Sequence, residues 1–322
     1  MKSLKDLQNV YVISDTCFLA DVFERFRSFS LENFRLDPCC YVSGPGLSWE
    51  AMLLRTKSKV EIIPNSDMLS TIERGMRGGV TPIFYRQGQS NIPGRKEYDE
   101  NKPEKHILLY DCLSLYGYTM TKLLPIGGYR WIEKEGGEEE LKDFVLDEIM
   151  RKDVDGPVGY FIDCDITYPD ELHFAHNEFP LCPEKRVVTE AELSPFQLGL
   201  MKKMKFKPDL KSEKLLPTLY DKNRYVTHFA NLKYCLQKGL VLKKVYKVLQ
   251  FDQKDWMSGY VRDVAELRRQ TDNPIERNFY KFFINSLFGK SIQNLRKQMN
   301  LKVVADKKRA ANLINSPNFE RF

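Results

Sequence analysis

The sequence predicts a mixed α/β (α+β) fold, because runs with helical spacing alternate with short apolar runs and paired glycines or prolines separate them. Length agrees: 322 residues with 42% apolar content can bury two or three modest cores. The seven cysteines, Cys17, Cys39, Cys40, Cys112, Cys164, Cys182 and Cys235, contain no CxxC pair and make no zinc spacing with the four histidines, which argues against a disulfide framework or a zinc module. Residues 1–15 lack the apolar core of a secretory signal, and no run approaches the roughly 18 apolar residues of a membrane span. The expectation is an intracellular protein, nuclear or cytoplasmic, without a membrane partner. Repeats and low-complexity tracts are absent from the sequence.

Helical spacing predicts helices over residues 15–31, 47–55 and 66–74. The apolar run Leu108-Leu109-Tyr110 reads as a strand that ends at Asp111 and turns into a short helix at Ser114. Gly127-Gly128 and Gly136-Gly137 flank a strand over 129–132, followed by a helix over 138–150 and a strand over 158–166. Residues 215–249 read as strand, helix, strand, with Lys238-Gly239 closing the helix through a left-handed cap. A helix over 256–270, a turn at Thr271-Asp272-Asn273-Pro274 and a second helix then make an antiparallel hairpin.

Charge is unevenly spread around a net +6. Residues 202–224 hold eight basic and three acidic side chains, and 254–297 hold nine and five. Such stretches suit phosphate tracking, or equally a solvated helix face. Residues 133–153, with nine acids and four bases, would be repelled by DNA.

The most informative stretch is Lys281-Phe282-Phe283-Ile284-Asn285-Ser286-Leu287-Phe288-Gly289, or KxxxNSxFG. Arg277, Lys281, Asn285 and Phe288 recur at helical spacing, so they share one face. Two cations on that stripe can clamp a polyphosphate, and Gly289 lets backbone approach a base pair. The plainer alternative is an amphipathic helix with a basic solvent face.

This pattern resembles the nucleotide-holding helix of family B DNA polymerases. Upstream, Asp111-Cys112-Leu113-Ser114-Leu115-Tyr116-Gly117 resembles that family's DxxSLYP motif, with glycine in place of proline. The resemblance implies that Asp111 is a ligand for two Mg²⁺ ions, that backbone amides at Ser114 and Leu115 meet the triphosphate, and that Tyr116 lies beneath the sugar and excludes a 2′-hydroxyl. It further implies that Arg277 and Lys281 offset charge on the leaving phosphates, that Asn285, Phe288 and Gly289 shape the pocket, and that Arg268 and Arg269 near the hairpin turn reach the distal phosphates. A long arginine at a helix end is otherwise commonly solvated.

Tyr11 and Asp15 fit YxxxD, which resembles the last exonuclease motif of the same polymerases, Asp15 holding a metal and Tyr11 orienting a water. Leu19-Ala20-Asp21-Val22-Phe23-Glu24, Ser43-Gly44-Pro45-Gly46 and Pro180-Leu181-Cys182-Pro183-Glu184 resemble one subgroup, the protein-primed polymerases of linear plasmids and Polinton-like mobile elements. Arg77-Gly78-Gly79, with Met76 where the subgroup carries tyrosine, resembles its template-contacting YxGG loop, and Arg74 adds a second cation. An ordinary flexible turn is the alternative.

The implied architecture is an incomplete right-hand polymerase. Residues 1–35 would close an exonuclease domain, 36–100 connect, 101–125 carry the palm carboxylate, 126–250 form an insertion that binds the terminal priming protein plus palm-associated strands, 251–292 the two-helix fingers, and 293–322 start the return to the palm. The implied reaction is template-directed transfer from dNTPs onto a primer hydroxyl. The second carboxylate hairpin, YxDTDS, is missing after Gly289, and the first exonuclease motifs are missing upstream, so the expectation is an internal segment or degenerate reading frame with little turnover alone. Asp163 and Asp165 form a DxD on an apolar strand, assigned by the resemblance to a non-catalytic position, with both acids expected on a solvated face. Rival readings are a non-catalytic remnant binding nucleic acid or terminal protein, and a metal nuclease built from Asp111, Asp163 and Asp165.

Overall fold

The computed structural model describes residues 3–84, 87–205, 209–294, 296, 302, 304–317 and 319. Lys207 and Lys297, counted in the basic stretches, lie outside the described residues, as does much of 293–322.

The elements run α1 (Leu4–Phe34), α2 (Gly44–Thr56), α3 (Ser66–Gly75), α4 (Leu115–Met120), β1 (Leu124–Ile132), α5 (Gly137–Phe144, continued by a π-helical turn Val145–Ile149) and β2 (Val158–Thr167). After them come α6 (His173–His176), β3 (Glu184–Arg186), α7 (Pro195–Met204), β4 (Lys214–Leu216), β5 (Lys222–His228), α8 (Phe229–Gln237), β6 (Val241–Lys254), α9 (Ser258–Gln270), α10 (Pro274–Ser291) and α11 (Lys307–Ile314). The sequence-predicted helices are all present, and α1 extends the first of them toward Ser3. There the Ser3 hydroxyl accepts from the Asp6 amide while the Asp6 carboxylate accepts from the Ser3 amide, a reciprocal cap that starts the helix early.

The mixed helix and sheet fold is built around an antiparallel sheet of order β1-β6-β2-β5, in which the long β6 pairs with both neighbours. Alternation along β2 turns Tyr160, Ile162, Cys164 and Ile166 to one face, where they meet Leu141, Val145 and Ile149 of the α5 region and Phe229, Leu232 and Cys235 of α8. Gly239, at φ +98, makes the predicted left-handed turn from α8 into β6. On the opposite face lies α3, its Gly75 close against Val226 of β5.

A second core joins the helices. Tyr260, Val261 and Val264 of α9 and Tyr280, Phe283, Ile284 and Leu287 of α10 pack with Leu47, Ala51 and Met52 of α2 and Phe29 of α1. Full burial of each such side chain contributes about 1.5–3 kcal/mol. Gly44 has no side chain because the Phe282 ring fills that space. Only the last third of α1 joins this core; Leu4, Leu7, Val10, Ile13, Phe18 and Leu19 are exposed.

One predicted strand is not there. Residues 106–112 carry no regular structure, with Leu109 97% and Tyr110 85% exposed. Strand structure requires a ladder partner, and the four-stranded sheet takes in only β1, β6, β2 and β5, so among the described residues nothing pairs with the run before Asp111.

Candidate nucleotide and nucleic-acid site

Two motifs far apart in sequence meet at one contact. The Tyr116 ring of α4 stacks on the Phe288 ring of α10, centroids 4.1 Å apart and planes within 5°. Beneath that pair, Gly117 is buried where a Cβ would stand 3.6 Å from both Ile284 of α10 and Val261 of α9. At this point α4 lies on the α9–α10 hairpin with room for a methyl group and for little more. Ser114 enters α4 with φ +54, and its carbonyl accepts from the Tyr118 amide. The sequence named Tyr116 and Phe288 separately; nothing in their local spacing announces that they touch.

The α10 stripe divides as its periodicity predicts. Tyr280, Phe283, Ile284 and Leu287 are buried, and Arg277, Lys281, Asn285 and Gly289 face solvent. Its two cations differ. Arg277 folds back on the hairpin turn, donating from Nε to the Thr271 carbonyl at 2.8 Å and lying 3.8 Å from Asp272. Lys281 is exposed and makes no hydrogen bond or ion pair with any described residue. Arg269 is paired with Glu266 at 2.6 Å. No described residue lies within 4 Å of a Cβ built on Gly289.

Asp111 is exposed, three residues before Ser114. Mg²⁺ requires several oxygen ligands in fixed geometry. Among the described residues no group of three or more His, Cys, Asp or Glu is placed to hold a metal, so Asp111 here supplies one carboxylate and not a cage. Tyr11 and Asp15 lie one turn apart on the exposed part of α1, and among the described residues no group of three or more His, Cys, Asp or Glu forms around Asp15.

Asp163 is not on a solvated face as expected; its side chain is 0% exposed. Its Oδ2 accepts from Arg74 at 2.8 Å and lies 2.9 Å from Arg224, while Oδ1 is buried without a partner. Burial is the consequence of α3 covering this face of the sheet, which the alternation of β2 alone does not reveal. Asp165 accepts from the Arg224 amide at 2.7 Å and from the Tyr246 hydroxyl at 2.8 Å. Both acids are thus committed to neutralising and orienting neighbours, which removes two of the three carboxylates that a nuclease would use.

Next to them, Arg77 lies over the Tyr225 ring at 3.8 Å and donates to the carbonyls of Gly75 and Val226 at 2.9 and 2.8 Å. Gly78 and Gly79 follow with open space around them. A groove of about 360 Å³ runs from this loop to the end of α10, bordered by Arg77, Gly78, Lys185, Gln293 and Arg296.

Residues 2–317 match the profile of DNA polymerase type B, organellar and viral. The chain belongs to that family. As a type B DNA polymerase sequence it is also similar to solved structures of phi29 DNA polymerase. Over 79% of this chain and 37% of that one, the orthorhombic crystal form shows 15% identity and a TM-score of 0.46. The complex of the same enzyme with primer-template DNA and incoming nucleotide covers 77% and 36%, at 14% identity and a TM-score of 0.42. This type B chain thus spans little over a third of the phi29 polymerase chain. No curated protein matches it. Among its described residues, no helix is long and apolar enough to cross a membrane.

Proposed function

We propose that this chain supplies the nucleotide-facing part of a protein-primed family B DNA polymerase of a mobile element, acting on primer-template DNA and dNTPs inside the cell. The observation that carries the reading is the stack of Tyr116 on Phe288, which brings the DxxSLYG and KxxxNSxFG motifs to one place. Lys281, exposed and unengaged, would oppose the triphosphate charge. Tyr116, backed by Phe288, would present a ring edge to the sugar and crowd a 2′-hydroxyl. Arg277, fastened to the hairpin turn, would swing from Thr271 to phosphate, and Arg269 would follow if it releases Glu266. Gly289 and Asn285 would admit the nascent base pair, and Arg77-Gly78-Gly79 the template. Tyr11 and Asp15 would belong to a proofreading site, and the 126–250 region would receive a terminal protein.

The described carboxylates do not complete a two-Mg²⁺ cage, and the isolated chain should turn over negligibly. The test is nucleotide and primer-template binding by the purified chain, read by fluorescence anisotropy. The expected result is weak binding of both, with dNTP binding reduced severalfold by Lys281→Ala. Binding of neither ligand, or primer extension abolished by Asp111→Ala, would overturn the reading of an inactive nucleotide-binding segment.

A further inference from the structure

Residue 224 is an arginine held at φ +52, a left-handed backbone that costs any residue with a Cβ and persists where the surroundings hold it. Here they do. Asp165 accepts its backbone N–H at 2.7 Å, and Asp163 holds its guanidinium at 2.9 Å, so the DxD of β2 grips residue 224 at both ends. The same Asp163 oxygen takes Arg74, in the last turn of α3 and only three residues before Arg77. Arg77 then pins the following turn to β5 through Tyr225 and the Val226 carbonyl. Past that pin the chain is Gly78-Gly79, with no described residue within 4 Å of either Cβ position. A rigid anchor thus ends abruptly in a pair of residues with maximal backbone freedom.

We propose that Asp163 is the positioning residue of the 75–79 loop: by bridging Arg74 of α3 and Arg224 of β5 from beneath the sheet surface, it latches the loop so that Gly78 and Gly79 are presented to DNA in one geometry. Among the described residues this buried carboxylate has no polar partner besides the two guanidiniums, so removing its charge frees Arg74 and leaves the Arg224 guanidinium only its stack on the Tyr246 ring at 4.1 Å. The role rests on the reading of Arg77-Gly78-Gly79 as a DNA contact. Two readouts separate the latch from that reading.

The experiment uses the full chain carrying Asp163→Asn, which keeps the side-chain shape, or Arg224→Gln, whose side chain is half-exposed. Hydrogen exchange of amides 72–76, the last turn of α3 that carries the loop, is expected to speed up about tenfold or more in Asp163→Asn and less in Arg224→Gln, with amides of β2 and β6 unchanged. The double variant is expected to match Asp163→Asn alone. Exchange of these amides within twofold of the parent in both single variants would overturn the latch; if Asp163→Asn fails to fold, Arg224→Gln decides alone. The second readout is affinity for a labelled primer-template duplex. Deleting an acid from a nucleic-acid face should strengthen DNA binding through the added positive charge; the latch predicts about fivefold weakening instead. Tighter binding by Asp163→Asn would overturn the positioning role. Faster exchange with DNA affinity unmoved would leave the latch standing and sink the DNA assignment of the loop.

Discussion

Tyr116 and Phe288 lie ring on ring, 4.1 Å apart and nearly parallel, and through them the short α4 is seated on the end of α10. Both rings remain partly exposed, so their contact is directional more than it is a source of bulk stability. A double-mutant cycle with Tyr116→Ala and Phe288→Ala is expected to give a coupling of about 0.5–1.5 kcal/mol by urea unfolding. Tyr116→Ala should also narrow the preference of the chain for dNTP over NTP. Additive unfolding energies would show that the two rings do not act together.

Lys281 and Arg277 should separate on mutation although both are cations of one stripe. Lys281 is exposed and bonds to no described residue, so Lys281→Ala should leave stability within about 0.5 kcal/mol while weakening nucleotide binding. Arg277 closes the α9–α10 turn through Thr271, so Arg277→Ala should cost about 1 kcal/mol as well as affinity. Thermal melts and nucleotide titrations on the two variants, showing equal losses of stability, would contradict the assignment.

Gly117 offers a graded test of how closely α4 approaches the hairpin. A methyl group there meets Ile284 and Val261 at ordinary contact distance and the Ser114 hydroxyl at 2.9 Å, which rotation of that side chain can relieve. Gly117→Ala should therefore be neutral or stabilising by up to about 1 kcal/mol from helix propensity. Gly117→Val adds atoms where none fit and should destabilise by roughly 1–3 kcal/mol. Equal melting temperatures for the two variants would mean that the close approach is absent in solution.

His228 predicts an acid limb of stability. Packed among Phe161, Phe229 and Phe251, with its Nδ1 accepting from the Ala230 amide, its imidazole is pushed down to about 4 by burial. The unfolded chain takes up the proton below about 6.5 and the native one resists it, so this contribution is full above 6.5 and is lost as pH falls toward 4. Up to about 3 kcal/mol is at stake. His228→Asn keeps a side-chain acceptor at the start of α8 and should flatten the decline of melting temperature between pH 6.5 and 4. An unchanged slope in that variant would assign the acid limb to other groups.

Elements with strong local signals were readable from the chain itself. Helical spacing places α2, α3, α9 and α10 within a few residues, and Gly239 marks the end of α8. The apolar run before Asp111 misled, because a strand is a property of two segments and its partner cannot be inferred from Leu108-Leu109-Tyr110. The same limit applies to the site. The exposed face of α10 followed from its period, whereas the Tyr116 contact and the burial of Asp163 depend on what the fold lays across them, which no window of sequence contains.

The aromatic seam of α1 with α10 has a mechanical outcome. Phe26 and Phe29 sit against Phe279, Tyr280 and Phe283, and Tyr280 donates to Asn33, so the two helices turn as one piece. With 31 residues, α1 is a rod of about 46 Å clamped at one end. A tilt of roughly 5° at the seam would sweep its far tip by about 4 Å, by the same rod geometry. Any rocking of the lysine-bearing helix is therefore magnified along this lever, and the exposed thiol of Cys17 gives a place to attach a label that reads it.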